Sequence, residues 1–557
     1  MKLTYQLLIL IAISFTASAD TNTLSKEQSQ AVDKIFSDWD KANAPGCGLG
    51  IIKDGKLIYA RGYGMANLEY DLPNNSQSVY RIGSTSKQFT AASIVLLAEN
   101  EKLSLDDSLN KFFPDFPDYA KDITVRHLLN HTSGIRDYLT ISYLKGLQGD
   151  DFFTDKDVMR WLINQTELNF DPGEEYVYSN SGYWLLGQIV NQVAEMSMAD
   201  FAMQEIFKPL GMSSTHFHND HTEIVKNRAS GYVPNDKDGF QISMTTLDMI
   251  GDGGIFTSIE DIKKWDDAYY ESKVLSNEFW KTMTQTGKLN NGEDIDYASG
   301  LIVNKHKGLN TVSHGGAFVG FRAELLRFPD QKLSVAIFTN RGDGNPSSMA
   351  YQVADVFLSD QYQVKEETSD ASEIVESIID SQEYSAKQLL GSYQLRPGMD
   401  ITITLVNDKV HALQSWNSEE YDLIKGELNS YTIDDSGDIK FTFADLQDNS
   451  TQKIWVDQQG RKSELKRKEE VDLSNINLKE FVGSYYSSEL DVIYKITLVG
   501  ETLKLQMKNN DPEKLNLVDK DLLSFQGSMF QFKRENDEIY DFVMNAGRAK
   551  NLKFVKQ

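Results

Sequence analysis

The chain of 557 residues is poor in cysteine, in long apolar runs and in positive charge. Its single cysteine, Cys47, excludes an intramolecular disulfide, so stability has to come from packed cores. Cys47 lies in the apolar strand pattern GCGLGIIKDGKLIYA, and we interpret it as a small buried side chain rather than a nucleophile.

The strongest apolar segment stands at the N-terminus. Residues 1–19 contain one early lysine, an apolar stretch and small residues at Ala17 and Ala19, a pattern typical of a secretory signal peptide cleaved before Asp20. No later run reaches the roughly 18 apolar residues that a spanning helix needs, so we expect no membrane span. These observations predict a periplasmic or secreted protein.

Acidic residues outnumber basic ones by 82 to 56, which gives a formal net charge of −26 at pH 7. Such a charge repels phosphate backbones and anionic membrane surfaces, so nucleic acid is a poor candidate partner. We expect a small-molecule or peptide substrate instead. The sequence leaves the oligomeric state open.

The length predicts several domains. Between residues 20 and 362, strand-like runs stand at both ends and helical patterns lie between them, which predicts an antiparallel sheet flanked by helices. The acidic segment 363–384, which is poor in aromatic residues, is interpreted as a linker.

The remainder of the chain alternates apolar and polar residues, and it repeats itself. LLGSYQL from residue 389 matches FVGSYYS from residue 481, and Ile403-Thr404-Leu405 matches Ile496-Thr497-Leu498. Because the order and spacing of such matches are kept, the region is interpreted as a duplicated domain. Short strands with polar turns are typical of small antiparallel β-barrels, which we predict over 385–470 and 471–557.

Three short motifs carry residues suited to nucleophilic catalysis, and the first joins Ser84 to Lys87. The spacing S-x-x-K at a helix start places the amine on the same face as the serine hydroxyl. Apolar surroundings and the helix dipole are expected to lower the lysine pKa, so that the amine can accept the serine proton. Taken alone the motif recurs by chance, and the alternative is a helix cap beside a solvated lysine.

The other two motifs lie far downstream. Tyr178-Ser179-Asn180 carries a phenol and a carboxamide on alternate residues, so a loop can direct both side chains into one cleft. His314-Gly315-Gly316-Ala317 stands near the end of a predicted strand. Its glycines let the backbone approach a ligand closely and leave the N–H of Ala317 available to it.

In this order the three motifs resemble those of the serine-reactive penicillin-binding protein and class C β-lactamase superfamily. The resemblance extends from about Asn43 to Tyr362, and it includes the segments ITVRHLLNHTSGI, IFKPLGMSST and GDGGIFTSIEDIKKW. It implies an α/β sandwich, with an antiparallel sheet flanked by helices, which two small antiparallel β-barrel domains follow here.

The resemblance also implies a role for each motif residue. Ser84 corresponds to the acylated nucleophile, Lys87 to its partner, and Tyr178 to the residue proposed as general base. Asn180 corresponds to a residue that binds the substrate carbonyl and helps to fix the lysine. The backbone N–H groups of Ser84 and Ala317 correspond to the oxyanion hole.

His314 stands where many members of that superfamily have a lysine. Since His314-Gly315 offers neither a permanent cation nor a following hydroxyl, we expect a weaker hold on a substrate carboxylate. This favours an esterase, amidase or D-amino-acid peptidase over a β-lactamase, and the two barrels resemble those of D-stereospecific aminopeptidases, in which a tail barrel reaches toward the active-site mouth. The alternative is a penicillin-binding or β-lactamase-type protein that reacts with little turnover.

Two histidine groups are candidates for metal sites. His127 and His131 have the four-residue spacing of zinc proteases on a predicted helix, but no glutamate follows the first one, so structural packing is favoured. His216, His218 and His221 could bind a metal adventitiously, and a polar surface loop explains them equally well. We expect neither a metal nor a cofactor in the reaction.

Overall fold

The structure is a computed structural model, and it describes residues 21–147, 151–235, 237, 239–362, 382–396, 399–406, 409–415, 419–433, 439–458, 461–468, 473 and 475–557. The predicted signal peptide and most of the predicted linker, 363–384, lie outside these residues. Within the described part of the chain no helix has the length and apolar character needed to cross a bilayer.

The chain divides into two compact units. Of the described residues, the first unit contains 21–107, 124–130 and 183–362, and the second contains 108–123, 131–182 and the C-terminal part from residue 382. The domain boundaries suggested by the sequence, 20–362, 385–470 and 471–557, stay a prediction.

Helices are short in both units. They are α1 (Lys26–Ile35), α2 (Lys87–Glu99), α3 (Leu109–Phe112), α4 (Val125–Leu129), α5 (Tyr138–Leu144), α6 (Asp155–Ile163), α7 (Asn180–Val193), α8 (Met198–Ala202), α9 (Ile259–Tyr270), α10 (Asn277–Thr284), α11 (Pro346–Leu358) and α12 (Ala386–Leu389). Tighter 3-10 turns occupy Gly83–Ser86, Asp118–Ala120 and Leu478–Phe481, and a π-helical turn follows α8 at Met203–Phe207.

The first unit is built on a seven-stranded antiparallel sheet. Its strands and those of three smaller sheets are β1 (Thr21–Asn22), β2 (Cys47–Lys53), β3 (Lys56–Tyr63), β4 (Met65–Asn67), β5 (Leu72–Pro73), β6 (Tyr80–Arg81), β7 (His216–Phe217), β8 (Tyr232–Pro234), β9 (Phe240–Ile242), β10 (Ile255–Thr257), β11 (Ile302–His306), β12 (Leu309–Phe318), β13 (Phe321–Phe328) and β14 (Leu333–Thr339). The main sheet has the order β1-β3-β2-β14-β13-β12-β11.

Helices cover the main sheet, as the sequence predicts. Val32 of α1, Phe36 directly after that helix and Val353 of α11 are buried in one core with sheet residues such as Phe328. Helix α9 packs against β2 and β14. Helix α11 begins where Asn345 caps it and Pro346 occupies the first turn, a position that proline tolerates because no N–H is needed there.

Cys47 is completely buried in this core, and burial raises the pKa of its thiol. A thiol that stays protonated is a poor nucleophile. The interpretation of Cys47 as a packing residue is therefore confirmed.

A three-stranded sheet, in the order β6-β10-β7, leads into the candidate site. Strand β6 ends at Arg81, directly before the 3-10 turn Gly83–Ser86 and helix α2. The turn also contacts β12 of the main sheet. Two sheets thus fix the residues around position 84.

The second unit contains two antiparallel β-structures. Their strands are β15 (Gly391–Arg396), β16 (Met399–Val406), β17 (Lys409–Gln414), β18 (Glu420–Asp422), β19 (Ile424–Lys425), β20 (Ser430–Thr432), β21 (Ile439–Gln447), β22 (Ser450–Gln458), β23 (Arg461–Arg467), β24 (Gly483–Ser487), β25 (Val492–Val499), β26 (Thr502–Met507), β27 (Glu513–Asp519), β28 (Leu522–Phe525), β29 (Ser528–Glu535), β30 (Glu538–Ala546) and β31 (Ala549–Lys556). Strands β15–β23 form a nine-stranded, nearly closed sheet, and β24–β31 form a closed barrel.

The internal repeat appears in the strand register. Gly391 pairs with Ile403 at the start of one structure, and Gly483 pairs with Ile496 at the start of the other. In each copy a buried tyrosine hydroxyl donates to the carbonyl oxygen four residues earlier, from Tyr393 to Leu389 at 2.8 Å and from Tyr485 to Phe481 at 2.9 Å. Because the two β-structures share these strand pairings and tyrosine hydrogen bonds at matching positions, they agree with a duplicated domain.

Within the second unit, segment 131–182 and the closed barrel share buried charges. Arg136 is fully buried, and it donates to the Glu489 carboxylate at 2.5 Å and to the carbonyl oxygen of Lys550 at 2.9 Å. Glu489 also accepts from the N–H and the hydroxyl of Thr166. A buried charge that lost its partner would destabilise this unit strongly, so the barrel and the segment depend on each other.

Candidate active site

Ser84 and Lys87 lie where the 3-10 turn Gly83–Ser86 leads into α2. Gly83 has a φ of +51°, and a Cβ atom at this position would come within 2.8 Å of the Ala317 nitrogen. Only glycine allows both this backbone conformation and this approach. The turn therefore packs directly against β12.

Lys87 is completely buried, whereas Ser84 is half-buried. The Lys87 Nζ donates hydrogen bonds to Ser84 Oγ at 3.2 Å and to the carbonyl oxygen of Asp252 at 2.6 Å. It also lies 5.5 Å from the ring centroid of Tyr183. The amine thus has fixed partners beside the serine oxygen, and the alternative of a solvated lysine is excluded.

The segment Gly251–Gly254 holds this lysine through backbone atoms. Besides the Asp252 carbonyl, the Gly251 carbonyl accepts from the Thr90 hydroxyl at 2.6 Å, and the Ile255 N–H donates to Ser86 Oγ at 3.1 Å. The sequence placed this segment within the superfamily resemblance without assigning it a role in the site. Its run of glycines was the available signal, since glycines expose carbonyl groups to close contact.

His314 lies on β12 and is almost fully buried. Its Nδ1–H donates to the carbonyl oxygen of Gly315 at 2.5 Å, because a carbonyl can only accept, and its Nε2 accepts from the Tyr297 hydroxyl at 2.8 Å. Burial and, second, the positive charge of Lys87 lower the pKa of His314 to about 4. The imidazole is therefore neutral at pH 7 and supplies no positive charge.

The rest of the third motif packs against the nucleophile turn. A Cβ atom at Gly316 would lie 1.9 Å from the carbonyl oxygen of Ile82. The Thr85 hydroxyl donates to the carbonyl oxygen of His314 at 3.1 Å. Gly315, Gly316 and Ala317 thus belong to the same cluster in the first unit as Ser84 and Lys87.

Tyr178 and Asn180 belong to the second unit. Asn180 begins helix α7, and its backbone N–H donates to Asp137 Oδ2 at 2.6 Å. Asp137 is buried and caps α5 by accepting from the N–H groups of Leu139 and Thr140. One carboxylate therefore fixes the first residues of both α5 and α7.

His131 positions the loop that carries Tyr178. Its carbonyl oxygen accepts from the Val177 N–H at 3.0 Å, and its Nδ1 accepts from the Ser179 N–H at 3.1 Å. Its ring lies 4.1 Å from that of Tyr178, measured between centroids. His131 thus touches the residues before and after Tyr178 as well as Tyr178 itself.

The predicted helix containing both His127 and His131 is wrong. Helix α4 ends at Leu129, and His131 has a φ of +59° outside it. Two hydrogen bonds from the Tyr178 loop hold His131 in this non-helical backbone conformation, although the sequence around it has a helical pattern. The assignment of His131 to structural packing, rather than to a zinc-protease pair, agrees with these contacts.

The closed barrel contributes a cation beside Tyr178. Arg548 lies in the turn between β30 and β31, and its guanidinium carbon lies 4.8 Å from the Tyr178 ring centroid. Its Nη1 is 3.8 Å from Asp137 Oδ2, and its carbonyl oxygen accepts from the Asp137 N–H at 3.1 Å. No sequence motif marks Arg548, since the contact joins residues far apart in the chain.

Residues 32–356 match the protein family described as Beta-lactamase. This chain belongs to the β-lactamase family. Membership makes it a serine hydrolase of the β-lactamase-related type, and it confirms the resemblance drawn from the three motifs.

The proteins that are similar to this chain include a penicillin-binding protein and a D-aminopeptidase. Penicillin-binding protein 4* of Bacillus subtilis (strain 168) is 29% identical over 373 residues, which are 64% of this chain and 81% of that protein. A D-aminopeptidase of Gluconobacter oxydans (strain 621H) is 27% identical over 296 residues, which are 53% of this chain and 56% of that enzyme. The chain thus spans little more than half the length of this D-aminopeptidase.

Solved structures confirm the predicted fold class. The octameric penicillin-binding protein homologue from Pyrococcus abyssi superposes with a TM-score of 0.55 at 25% identity, over 79% of this chain and 99% of that one. The D-amino acid amidase from Ochrobactrum anthropi SV3 gives a TM-score of 0.52 at 21% identity, over 60% of this chain and 99% of that one. At this level of identity, the second likeness shows the fold alone.

The neutral state of His314 makes the stability of this β-lactamase-family chain depend on pH. Because the pKa of His314 is about 4 in the folded chain against a usual 6.5, the unfolded chain takes up a proton at higher pH. The free energy of unfolding should therefore fall as the pH drops from about 6.5 toward 4, by on the order of 3 kcal/mol from this group. Urea unfolding over this range should show a shallower decline in His314→Gln, and the same decline in both proteins would contradict the assignment.

Proposed function

We propose that this protein is an exported serine hydrolase that forms an acyl-enzyme at Ser84 with an amide or ester, and that D-amino-acid amides or short peptides are its leading substrate class. The observation that carries the proposal is the buried Lys87 amine, held 3.2 Å from the hydroxyl oxygen of Ser84. Export is supported by the N-terminal sequence pattern.

In the proposed reaction the Ser84 oxygen attacks the substrate carbonyl while its proton passes to the Lys87 amine, which has to be uncharged to accept it. The tetrahedral intermediate carries a negative oxygen, to which the N–H groups of Ser84 and Ala317 donate. Its collapse breaks the bond to the amine or alcohol, which leaves with a proton. Water then attacks the acyl-enzyme and releases the acid together with free Ser84.

Tyr178 is proposed as the second proton carrier, because the Tyr-x-Asn motif follows Ser-x-x-Lys in the order of the family. Two contacts support a fixed ring: the imidazole of His131 at 4.1 Å and the guanidinium of Arg548 at 4.8 Å. A ring held in one orientation keeps its hydroxyl within hydrogen-bond reach of the groups between which it transfers a proton.

The neutral His314 supports the choice of substrate class. A free carboxylate, as in a β-lactam, is held most firmly by a permanent cation. Since His314 is uncharged at pH 7, amides and esters without such a carboxylate should be preferred.

The second candidate is a penicillin-binding protein that acylates and releases slowly. The observation that favours it is the match to penicillin-binding protein 4*, which covers 81% of that protein. Both candidates use Ser84, and they differ in the rate at which water removes the acyl group.

A substrate panel tests the proposal. Purified protein and Ser84→Ala receive nitrophenyl esters, D- and L-amino-acid anilides and a chromogenic cephalosporin. We expect turnover of an ester or a D-anilide, and a loss of roughly 10³-fold or more in Ser84→Ala, because the nucleophile is gone. Equal turnover in the variant would contradict the proposal, whereas stoichiometric labelling by a fluorescent penicillin without turnover would favour the second candidate.

Removal of Arg548 should slow the reaction by loosening Tyr178. In Arg548→Ala the Tyr178 ring loses the guanidinium that lies 4.8 Å from its centroid, so its hydroxyl is held less firmly in place for proton transfer. We expect kcat/KM at neutral pH to fall several-fold.

The matched control is Lys550→Ala, on the same hairpin. Lys550 pairs with the Glu175 carboxylate at 2.9 Å, and its removal should leave kcat/KM unchanged. An unchanged kcat/KM in Arg548→Ala, or an equal fall in both variants, would contradict the role of Arg548 in positioning Tyr178.

A further inference from the structure

Two histidines outside the candidate active site project from one strand edge. His216 belongs to β7, whose neighbour is β10, and the N–H of His218 donates to the carbonyl oxygen of Gly254 at 2.8 Å. Residues two apart on extended backbone share a face. The Nε2 of His216 and the Nδ1 of His218 consequently lie 3.3 Å apart.

A carboxylate completes the group. The Oε2 atom of Glu223 lies 4.0 Å from the Nε2 of His216 and 3.8 Å from the Nδ1 of His218. The backbone of Glu223 is fixed, because its N–H donates to the Asp220 carbonyl at 3.1 Å, whereas its side chain is half-exposed and can move. His221 is outside the group, since it pairs with Asp248 at 3.0 Å.

We propose that His216, His218 and Glu223 form a binding site for a divalent late transition metal ion, with Zn²⁺ as the leading candidate. Tetrahedral zinc with ligand bonds of about 2.0–2.1 Å separates its ligand atoms by roughly 3.3 Å. The two nitrogens already have this separation. The carboxylate needs a shift of roughly half an ångström, which a half-exposed side chain permits.

The chemistry of the ligands selects the metal. Two imidazoles and one carboxylate suit Zn²⁺, Co²⁺ or Ni²⁺, whereas Ca²⁺ and Mg²⁺ prefer oxygen ligands alone. The His216 side chain is largely buried and that of His218 almost fully buried, and an imidazole binds a metal through an unprotonated ring nitrogen. In the hydrogen-bonded pair one of the facing nitrogens carries a proton. When the metal binds, this proton moves to the other nitrogen of its ring, so both facing lone pairs reach the metal.

The surrounding charges make Glu223 essential to the site. Arg81 and Arg228 lie beside His218 and oppose a bound cation, while the Asp248 carboxylate favours one. The Glu223 carboxylate faces both histidines and supplies a negative ligand. Removal of its charge should therefore weaken metal binding strongly, even though the side chain is half-exposed.

A bound metal would also stabilise the sheet that leads to Ser84. Strand β7 pairs with β10, and β10 pairs with β6, which directly precedes the nucleophile turn. Because a ligand that binds only the folded state raises the unfolding temperature, Zn²⁺ should stabilise the full chain against heat.

The test uses full-length protein treated with a chelator and then dialysed. Zn²⁺ is titrated against a chromophoric competitor, and Co²⁺ binding is followed by its visible absorption. We expect one equivalent of metal per chain and a Zn²⁺-dependent rise of a few degrees in the unfolding temperature. Glu223→Gln should weaken the affinity by roughly tenfold or more, and His218→Ala should abolish binding.

His221→Ala is the matched control, because this neighbouring histidine is assigned no ligand role, and it should retain one equivalent. Glu223→Gln changes an exposed side chain, so its effect can be separated from misfolding in His218→Ala. The proposal is overturned by the lack of a one-equivalent site in the wild-type protein. It is equally overturned by binding that survives in both ligand variants, or by binding that only His221→Ala removes.

Discussion

The structure of the site depends on a lysine amine that is held away from water. Burial of an amine is unfavourable unless its donors are satisfied, and it disfavours the charged form. The sequence meets this demand with a half-buried serine hydroxyl, the backbone carbonyl of Asp252 and the ring of Tyr183. The contacts that stabilise the buried Lys87 side chain also direct its nitrogen toward Ser84. The same packing therefore places the amine where the proposed reaction needs it.

Electrostatics around this amine differ from those that the superfamily resemblance implies. Where a lysine is common, the chain has a buried imidazole that donates to Gly315 and accepts from Tyr297. The strand β12 therefore presents no permanent charge at this position.

In the second unit, Arg548 of the closed barrel brings a cation to Tyr178. The closed barrel therefore contacts a residue of the second motif directly.

Much of the fold followed from the sequence. Strand-like runs at both ends of segment 20–362 predicted the main antiparallel sheet, and a repeat of glycine, tyrosine and apolar residues predicted the two β-structures. The adjacency of Ser84 and Lys87 followed from helix geometry. Such features depend on neighbouring residues or on an internal repeat, so they can be recognised in a single sequence.

Other features could not be predicted from the sequence, for physical reasons. The lysine partner at Asp252 is a backbone carbonyl, which any residue type offers. Arg136 and Glu489 pair across a long stretch of chain, and no spacing rule connects them. The left-handed backbone at His131 is imposed by hydrogen bonds from the Tyr178 loop, although the preceding residues have a helical pattern.

The central claim is that the buried amine activates the serine for covalent chemistry. Its most direct test is intact-protein and peptide mass spectrometry of the full chain, quenched at short times after mixing with a D-amino-acid nitrophenyl ester. The account predicts an acyl adduct on the peptide that contains Ser84, formed at least roughly 100-fold more slowly in Lys87→Ala. An adduct absent from Ser84, or one that forms equally fast without the amine, would contradict it.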